Sequence, residues 1–332
     1  MISAVLVALA GSLILTLSLL RATGAGRLLT DVPNERSSHA SPKPRGGGVG
    51  VIGGFLLGVA AVFGGPALHP GALVLVAAAT ACAGLGLWDD LRGLSVGPRL
   101  AVEALAAACL VAVTGPLLRL PLPAPLDFPL GVLGFVFPVV WLVGVTNFFN
   151  FMDGIDGLAA GQGLAVCLLV AAAGWSSDAS SLALLLGAGL VGFLPFNWWP
   201  ARIFLGDVGS LSIGFLLAGF PLLAAPKDRG AAVLATATGL TPFLLDPVVT
   251  LWRRWRRGAP LGQPHREHAY QQLLNPADPH ARVSASLIGA GVVLSVAGWA
   301  AYRWPPLAWP SVMVAALVFG IELFLAKQKA RT

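Results

Sequence analysis

The residues best suited to chemistry lie in Asn147–Gly161, NFFNFMDGIDGLAAG, where carboxylates, amides and closely spaced glycines interrupt apolar sequence. Asp153 and Asp156 flank Gly154 in a turn-prone segment between two hydrophobic runs. A glycine that bends the backbone lets two such acids face one cation or one polar ligand. A plain turn between helices uses the same residue types, so the pair alone leaves both readings open. Asn150 belongs to the same polar stretch and is a candidate ligand contact.

Other polar clusters carry further candidates. Asp89 and Asp90 are adjacent like charges that raise each other's pKa unless a cation or base relieves them. Arg92 and Arg99 are close enough in sequence to do so, and a solvated helix cap is the plainer alternative. In FLGDVGS, Asp207 sits between Gly206 and Gly209. That pattern suits a helix cap, or a metal-ligating carboxylate beside amides that receive phosphate oxygens. Asn197 and Phe204 could hold a flat base by hydrogen bonding and stacking, whereas Trp198 and Trp199 fit an interfacial aromatic belt. Gly46–Gly48, preceded by Lys43 and Arg45, has the composition of a phosphate cradle but no Walker or dinucleotide pattern, and reads as a glycine-rich start to a membrane span. His265 and His268 would share a helical face, and with Arg266 between them suit phosphate recognition better than metal binding. The run Arg253–Arg257, RRWRR, reads as an anchor to anionic lipid.

The elements that must position these groups follow from composition. The chain has 332 residues, 56% hydrophobic and 11% charged, with a mean hydropathy of +0.81. Soluble domains carry about 25% charged residues, so this is an integral membrane protein. The formal charge of +6 then reflects orientation in the bilayer, and no nucleic-acid partner is expected. Cys82, Cys109 and Cys167 lie in apolar runs without CxxC spacing, against a disulfide framework or a zinc site. Eleven apolar runs are expected to span, near 2–20, 48–65, 72–88, 100–118, 129–146, 158–175, 181–196, 210–225, 231–252, 283–302 and 308–325. Helix is the expected form, because open sheet edges cannot be satisfied in lipid. The fold class is thus an all-α polytopic membrane protein, read as one domain over 1–332. The first run lacks a basic start and a small-residue cleavage site and reads as a retained span.

Of the 21 Lys and Arg, only Arg119, Lys227, Arg229 and Arg303 fall on one set of connecting segments. The positive-inside rule therefore puts the N-terminus outside and the C-terminus in the cytoplasm. It also puts all the polar clusters above on the cytoplasmic side, as one composite site. Several acids, basic groups and His without a Walker motif suit Mg²⁺-assisted chemistry on a phosphate ester, with the spans offering a groove to a lipid. A transporter would instead carry ionisable residues near mid-bilayer. Here only Glu103, Asp246 and Glu322 fall inside the expected spans, each toward a cytoplasmic end.

Five ordered motifs between Asp31 and about Leu274 carry a family resemblance: DVPNERSSHASPKPRGG, DDLRGLS, NFFNFMDGIDGLAAG, NWWPARIFLGDVGSLSIGF and the loop PHREHAYQQL. On these the sequence resembles the polyprenyl-phosphate N-acetylhexosamine-1-phosphate transferases, glycosyltransferase family 4. The resemblance implies transfer of a sugar 1-phosphate from a UDP-N-acetylhexosamine to undecaprenyl phosphate in the bacterial inner membrane. It implies Mg²⁺ (Mn²⁺ as an alternative) on Asp207, and catalytic roles for Asp89, Asp90 and Asp153. Asp89 and Asp90 would deprotonate or orient the lipid phosphate. Asp156, Asn197 and Phe204 would hold the uracil and nearby polar groups, Lys43 or Arg45 the nucleotide, and the His loop the pyrophosphate. The loop text is similar to the HRxHAYQ form of enzymes that initiate O-antigen or other surface polysaccharides, with GlcNAc, QuiNAc or FucNAc as sugar. Peptidoglycan or teichoic-acid intermediates are the alternative within the family. A direct displacement is expected, with a covalent aspartyl intermediate as the alternative. Membrane lipids are further partners, and a homodimer is left open.

Overall fold

Each of the eleven apolar runs folds as helix, as a chain must when lipid offers its backbone no partners. A computed structural model describes residues 1–23, 29–31, 42–63, 68–260, 265–274 and 280–329. Much of the first polar motif, 32–41, lies outside the described residues. In chain order the helices are α1 (Ile2–Thr23), α2 (Gly48–Phe63), α3 (Pro70–Arg92), α4 (Val96–Thr114), α5 (Leu133–Phe151), α6 (Leu158–Ala173) and α7 (Ser177–Asn197). There follow α8 (Gly206–Gly219), α9 (Arg229–Gly239), α10 (Thr241–Arg256), the short α11 (Ala269–Gln272), α12 (His280–Arg303) and α13 (Ala308–Lys329). One small antiparallel ladder pairs β1 (Thr30–Asp31) with β2 (Lys43–Pro44).

The bundle is built around α8. Its apolar window is 83% buried, against 22% for α1 and α4, and it packs against α2, α3 and α5. The outer helices turn large apolar side chains outward, among them Leu105 on α4 and Met313 and Leu317 on α13, as lipid-facing surfaces do. Among the described residues eight helices are long and apolar enough to cross a membrane, or nine if the bent pair α9–α10 is one span. With the bent pair and the shorter apolar helices α2 and α6, these account for all eleven expected runs. Helices α2 and α6 have 16 described residues each, and residues 64–67 after α2 lie outside the described residues.

The expected single span over 231–252 is broken. Helices α9 and α10 meet at 74°, where Gly239 ends one helix and Pro242 opens the next. Proline supplies no N–H to continue the preceding helix, and a sharp kink follows. Alternation along the chain then brings the C-terminal ends of α3, α5, α7 and α10 to the same end of the bundle as the N-terminal ends of α4, α6 and α8. All the polar clusters gather at that end.

The strand β2 continues into the turn before α8. Phe204 N–H donates to Pro44 O (2.8 Å), Gly47 N–H to Phe204 O (2.9 Å) and Gly48 N–H to Leu205 O (2.8 Å). These amides are committed to carbonyls and form no phosphate cradle. A Cβ at Gly48 would overlap the backbone of Gly209, so glycine is what lets α2 start against α8.

Candidate active site

The N-terminus of α8 is the centre of the polar end. Asp207 lies in its first turn, where a carboxylate meets the positive end of the helix dipole. From the last turn of α5, Asn150 Nδ2 donates to Asp207 Oδ1 (2.8 Å) and to Ser210 Oγ (2.8 Å). Asp90 also reaches α8, its Oδ2 accepting the Val208 N–H (3.1 Å). Arg45 steadies it, with Nε 3.7 Å from Asp90 Oδ1 and Nη2 donating to its carbonyl.

Asp89 and Asp90 do not act as a facing pair. Asp89 turns the other way, where Oδ1 accepts the Leu94 N–H (2.6 Å) and Oδ2 lies 3.3 Å from Arg99 Nη1. Relief of the two charges comes from Arg99 and Arg45, not from Arg92. Arg99 also approaches Glu103 (3.8 Å) and donates to Asn147 Oδ1 (3.2 Å), while Asn147 Nδ2 donates to Glu103. Glu103 and Asn147 were not among the candidate site residues. An acid inside an apolar run was the available signal, since such residues are costly unless partnered.

Asp153 stands in the turn between α5 and α6, partly accessible and otherwise walled by protein. Among the described residues no donor hydrogen-bonds its carboxylate. Burial, then the carboxylates of Asp207, Asp90 and Asp156, push its pKa up to about 8. The native state thus holds this proton more tightly than the unfolded chain does. Between pH 3.8 and about 8 the stability of the metal-free protein should fall as pH rises, and level off above. The variant Asp153→Asn should remove that slope, leaving stability unchanged at the acid end and higher at the alkaline end. Melting curves across pH in a chelator test this, and parallel curves for the two proteins would contradict it.

Asp156 is buried, and its Oδ2 accepts the Ala201 N–H (2.8 Å) with Lys43 Nζ at 3.9 Å. His280, at the start of α12, lies 3.3 Å from Oδ1, and Asp156 O accepts from Ser284 Oγ (2.7 Å). Burial alone would raise its pKa, but the His280 hydrogen bond, the Ala201 amide and Lys43 outweigh it and hold the carboxyl below the usual range. Asp156 therefore ties the loops together. Asn197 is also spent on structure, its Oδ1 accepting the Gly157 N–H (3.1 Å) and its Nδ2 donating to Ile203 O (3.0 Å). These contacts place both side chains at the junction of the α5–α6 turn with the segment before α8. Phe204 remains half-buried, with Lys43 Nζ 5.2 Å from its ring centre, an aromatic face and a cation side by side.

The His loop is latched by a residue that the sequence had placed in a span. Asp246 of α10 is fully buried. Its Oδ1 accepts from Ala269 N–H (2.9 Å) and Thr250 Oγ1 (2.9 Å) and lies 3.2 Å from His268 Nδ1, and its Oδ2 accepts from Tyr270 N–H (3.2 Å). The 74° break is what aims Asp246 at this loop. His265 and His268 precede α11 rather than sharing a helical face, yet their rings lie 4.9 Å apart. Burial, then His268 and Arg254, lower the pKa of His265. Arg266 is exposed beside them. Tyr270, fully buried, donates through its hydroxyl to Phe151 O (3.1 Å) and so joins this loop to the Asp153 turn. A Cβ at Gly154 would overlap that hydroxyl. The RRWRR run is only in part a surface feature. Arg254 is buried, and its guanidinium donates to Glu267 Oε1 (2.5 Å) and Pro260 O (2.6 Å), with Arg257 on the other Glu267 oxygen.

The donor set fits a hard cation that takes part of its shell from substrate. Among the described residues, Arg45 and Arg99 are the cations paired with Asp90 and Asp89, and none is paired with Asp207 or Asp153. Among the described residues no three His, Cys, Asp or Glu side chains close a metal site by themselves. Mg²⁺ is commonly held this way, by one or two carboxylates plus phosphate oxygens and water.

Comparison with known proteins identifies the family. The model for glycosyl transferase family 4 matches residues 72–225, which includes Asp89, Asp90, Asn150, Asp153 and Asp207. A probable undecaprenyl-phosphate N-acetylglucosaminyl 1-phosphate transferase of Bacillus subtilis is 30% identical over 256 residues, 74% of this chain and 69% of that protein. A decaprenyl-phosphate N-acetylglucosaminephosphotransferase of Mycobacterium leprae is 33% identical over 284 residues, 76% of this chain and 71% of that protein. A phospho-N-acetylmuramoyl-pentapeptide-transferase of Enterococcus faecalis is 44% identical over 100 residues, 29% of this chain and 31% of that protein. With its multi-pass helical fold, the chain belongs to glycosyl transferase family 4, the polyprenyl-phosphate hexosamine-1-phosphate transferases.

Proposed function

We propose that this protein transfers N-acetylhexosamine 1-phosphate from a UDP-sugar to undecaprenyl phosphate at the cytoplasmic face of the bacterial inner membrane, releasing UMP. One observation carries the reading: Asp207 and Asp153 sit at the same end of the bundle as the paired His265 and His268, joined to them through Tyr270. Acids that suit a divalent cation thus adjoin groups that suit phosphate oxygens.

The acceptor's phosphate oxygen attacks the β-phosphorus of the UDP-sugar. The bond from that phosphorus to the bridging oxygen breaks, and the oxygen leaves on UMP. Asp207 would hold Mg²⁺ (or Mn²⁺), which when bound supplies charge neutralisation across the diphosphate. Asp153 takes the acceptor's proton. This departs from the expectation for Asp89, because both Asp89 oxygens are held by Leu94 N–H and Arg99. Lys43 and Phe204 flank the uridine, and His265, Arg266 and His268 offer N–H donors to the departing phosphate. Positioning and electrostatics provide most of the rate, as phosphoryl transfer requires.

GlcNAc is the first donor to expect, since the Bacillus and Mycobacterium relatives are named for it. QuiNAc and FucNAc are the next candidates. The HREHAYQ text of His265–Gln271 supports initiation of O-antigen or another surface polysaccharide. The segment shared with the Enterococcus transferase favours a cell-wall intermediate as the second reading. Purified protein offered undecaprenyl phosphate, Mg²⁺ and each UDP-N-acetylhexosamine in turn should release UMP with one donor far above the rest. Release with UDP-MurNAc-pentapeptide alone would move the function to the second reading.

A further inference from the structure

The end of α10 carries a site that the transfer reaction does not use. A cavity of about 520 Å³ opens beside its last turn, walled by Trp252, Arg253, Arg256, Arg257, Glu267 and Gln272. Arg254 and Arg257 are engaged with Glu267. Arg253 and Arg256 are exposed, Arg256 stacking its guanidinium 5.0 Å from the centre of the Trp252 ring. Among the described residues no carboxylate pairs with Arg253 or Arg256. Trp252 and Trp255 are 51% and 67% exposed, in the manner of indoles at the headgroup level of a bilayer.

We propose that this cavity binds the phosphodiester headgroup of an anionic phospholipid and that occupancy tightens the His loop. Four guanidiniums within five residues repel one another, and the single Glu267 carboxylate does not balance them. A phosphodiester presents the oxygens that guanidinium groups engage two at a time, and anionic lipid is concentrated at the cytoplasmic surface. The apolar stem of α10 and the exposed indoles place this charge at the edge of the lipid phase, which favours a lipid over a soluble phosphate ester. The coupling runs through shared parts. Glu267 immediately precedes His268, and Gln272 Nε2 donates to Glu267 O (2.9 Å). An anion beside Arg253 and Arg256 offsets their repulsion of Arg257, which strengthens the hold Arg257 already has on Glu267.

The binding half of this inference is independent of the transfer reaction, and the coupling half rests on it. The test uses full-length protein in nanodiscs of phosphatidylcholine with increasing phosphatidylglycerol, reading lipid retention by native mass spectrometry and UMP release in parallel. Wild type should retain phosphatidylglycerol several-fold over phosphatidylcholine, and its KM for the donor should fall several-fold as phosphatidylglycerol rises. The variant R253Q/R256Q should lose both effects while keeping the wild-type turnover seen in pure phosphatidylcholine. Equal retention by wild type and variant would overturn the site. Displacement of the retained lipid by millimolar glycerol phosphate would assign it to a soluble ester instead. Retention lost in the variant without any change in lipid-dependent KM would overturn the coupling. If no donor yields UMP, the retention arm still decides the site.

Discussion

Asp207→Asn is expected to lower sugar-phosphate transfer by about a thousandfold or more, with the protein still folded. The replacement is isosteric, and its amide oxygen can still accept the Asn150 hydrogen bond that now fixes Oδ1 at 2.8 Å. What is lost is one negative charge at the point where the acids converge. In the absence of metal that loss should raise thermal stability, because it relieves repulsion on Asp153 and Asp90. The signature is thus opposite in sign for activity and for melting in chelator. Measuring both on one preparation separates a lost ligand from a damaged fold. Near-wild-type turnover would show that Asp207 is not the cation's carboxylate.

The second large effect is expected at Asp246, which touches no substrate in this account. Asp246→Ala would leave buried donors on Ala269, Tyr270, His268 and Thr250 without an acceptor. Stranding buried partners of a charged group costs about 3–5 kcal/mol, much of it at the His loop. Transfer should fall by about a hundredfold, with a raised KM for the donor, because the histidines lose their position. Asp246→Asn keeps one acceptor and should retain more of both stability and activity. If Asp246 acts through His268, the double variant with His268→Gln should be little worse than either single one. Fully additive losses would mean that Asp246 does not act through that histidine.

Much of the site's location was legible in the sequence. The spans set which loops share a side, and that alone brings Asp90, Asp153, Asp207 and His268 together from distant parts of the chain. Partner choice was less legible. Arg45 reaches Asp90 across 45 residues, and no local pattern distinguishes it from Arg92, two residues from the same acid. The contacts of the Asn197 amide with Gly157 and Ile203 were not legible either, because a sequence does not display which backbone groups need a partner. Asp246 was visible as an acid in an apolar run, but its loop partners lie 22 to 24 residues on, and hydropathy averages over the α9–α10 break that precedes it. The Gly239 and Pro242 pair that makes that break was the signal for it.

The measurement closest to the central claim follows both products of one reaction. Purified protein is given UDP-GlcNAc, undecaprenyl phosphate and Mg²⁺, and UMP and the lipid-linked sugar are quantified together. The account predicts that UMP and undecaprenyl diphosphate-GlcNAc rise in equal amounts, that both vanish when acceptor or divalent cation is withheld, and that both are lost in Asp207→Asn. Release of UDP in place of UMP would mean that a different bond is cleaved, and would contradict the account.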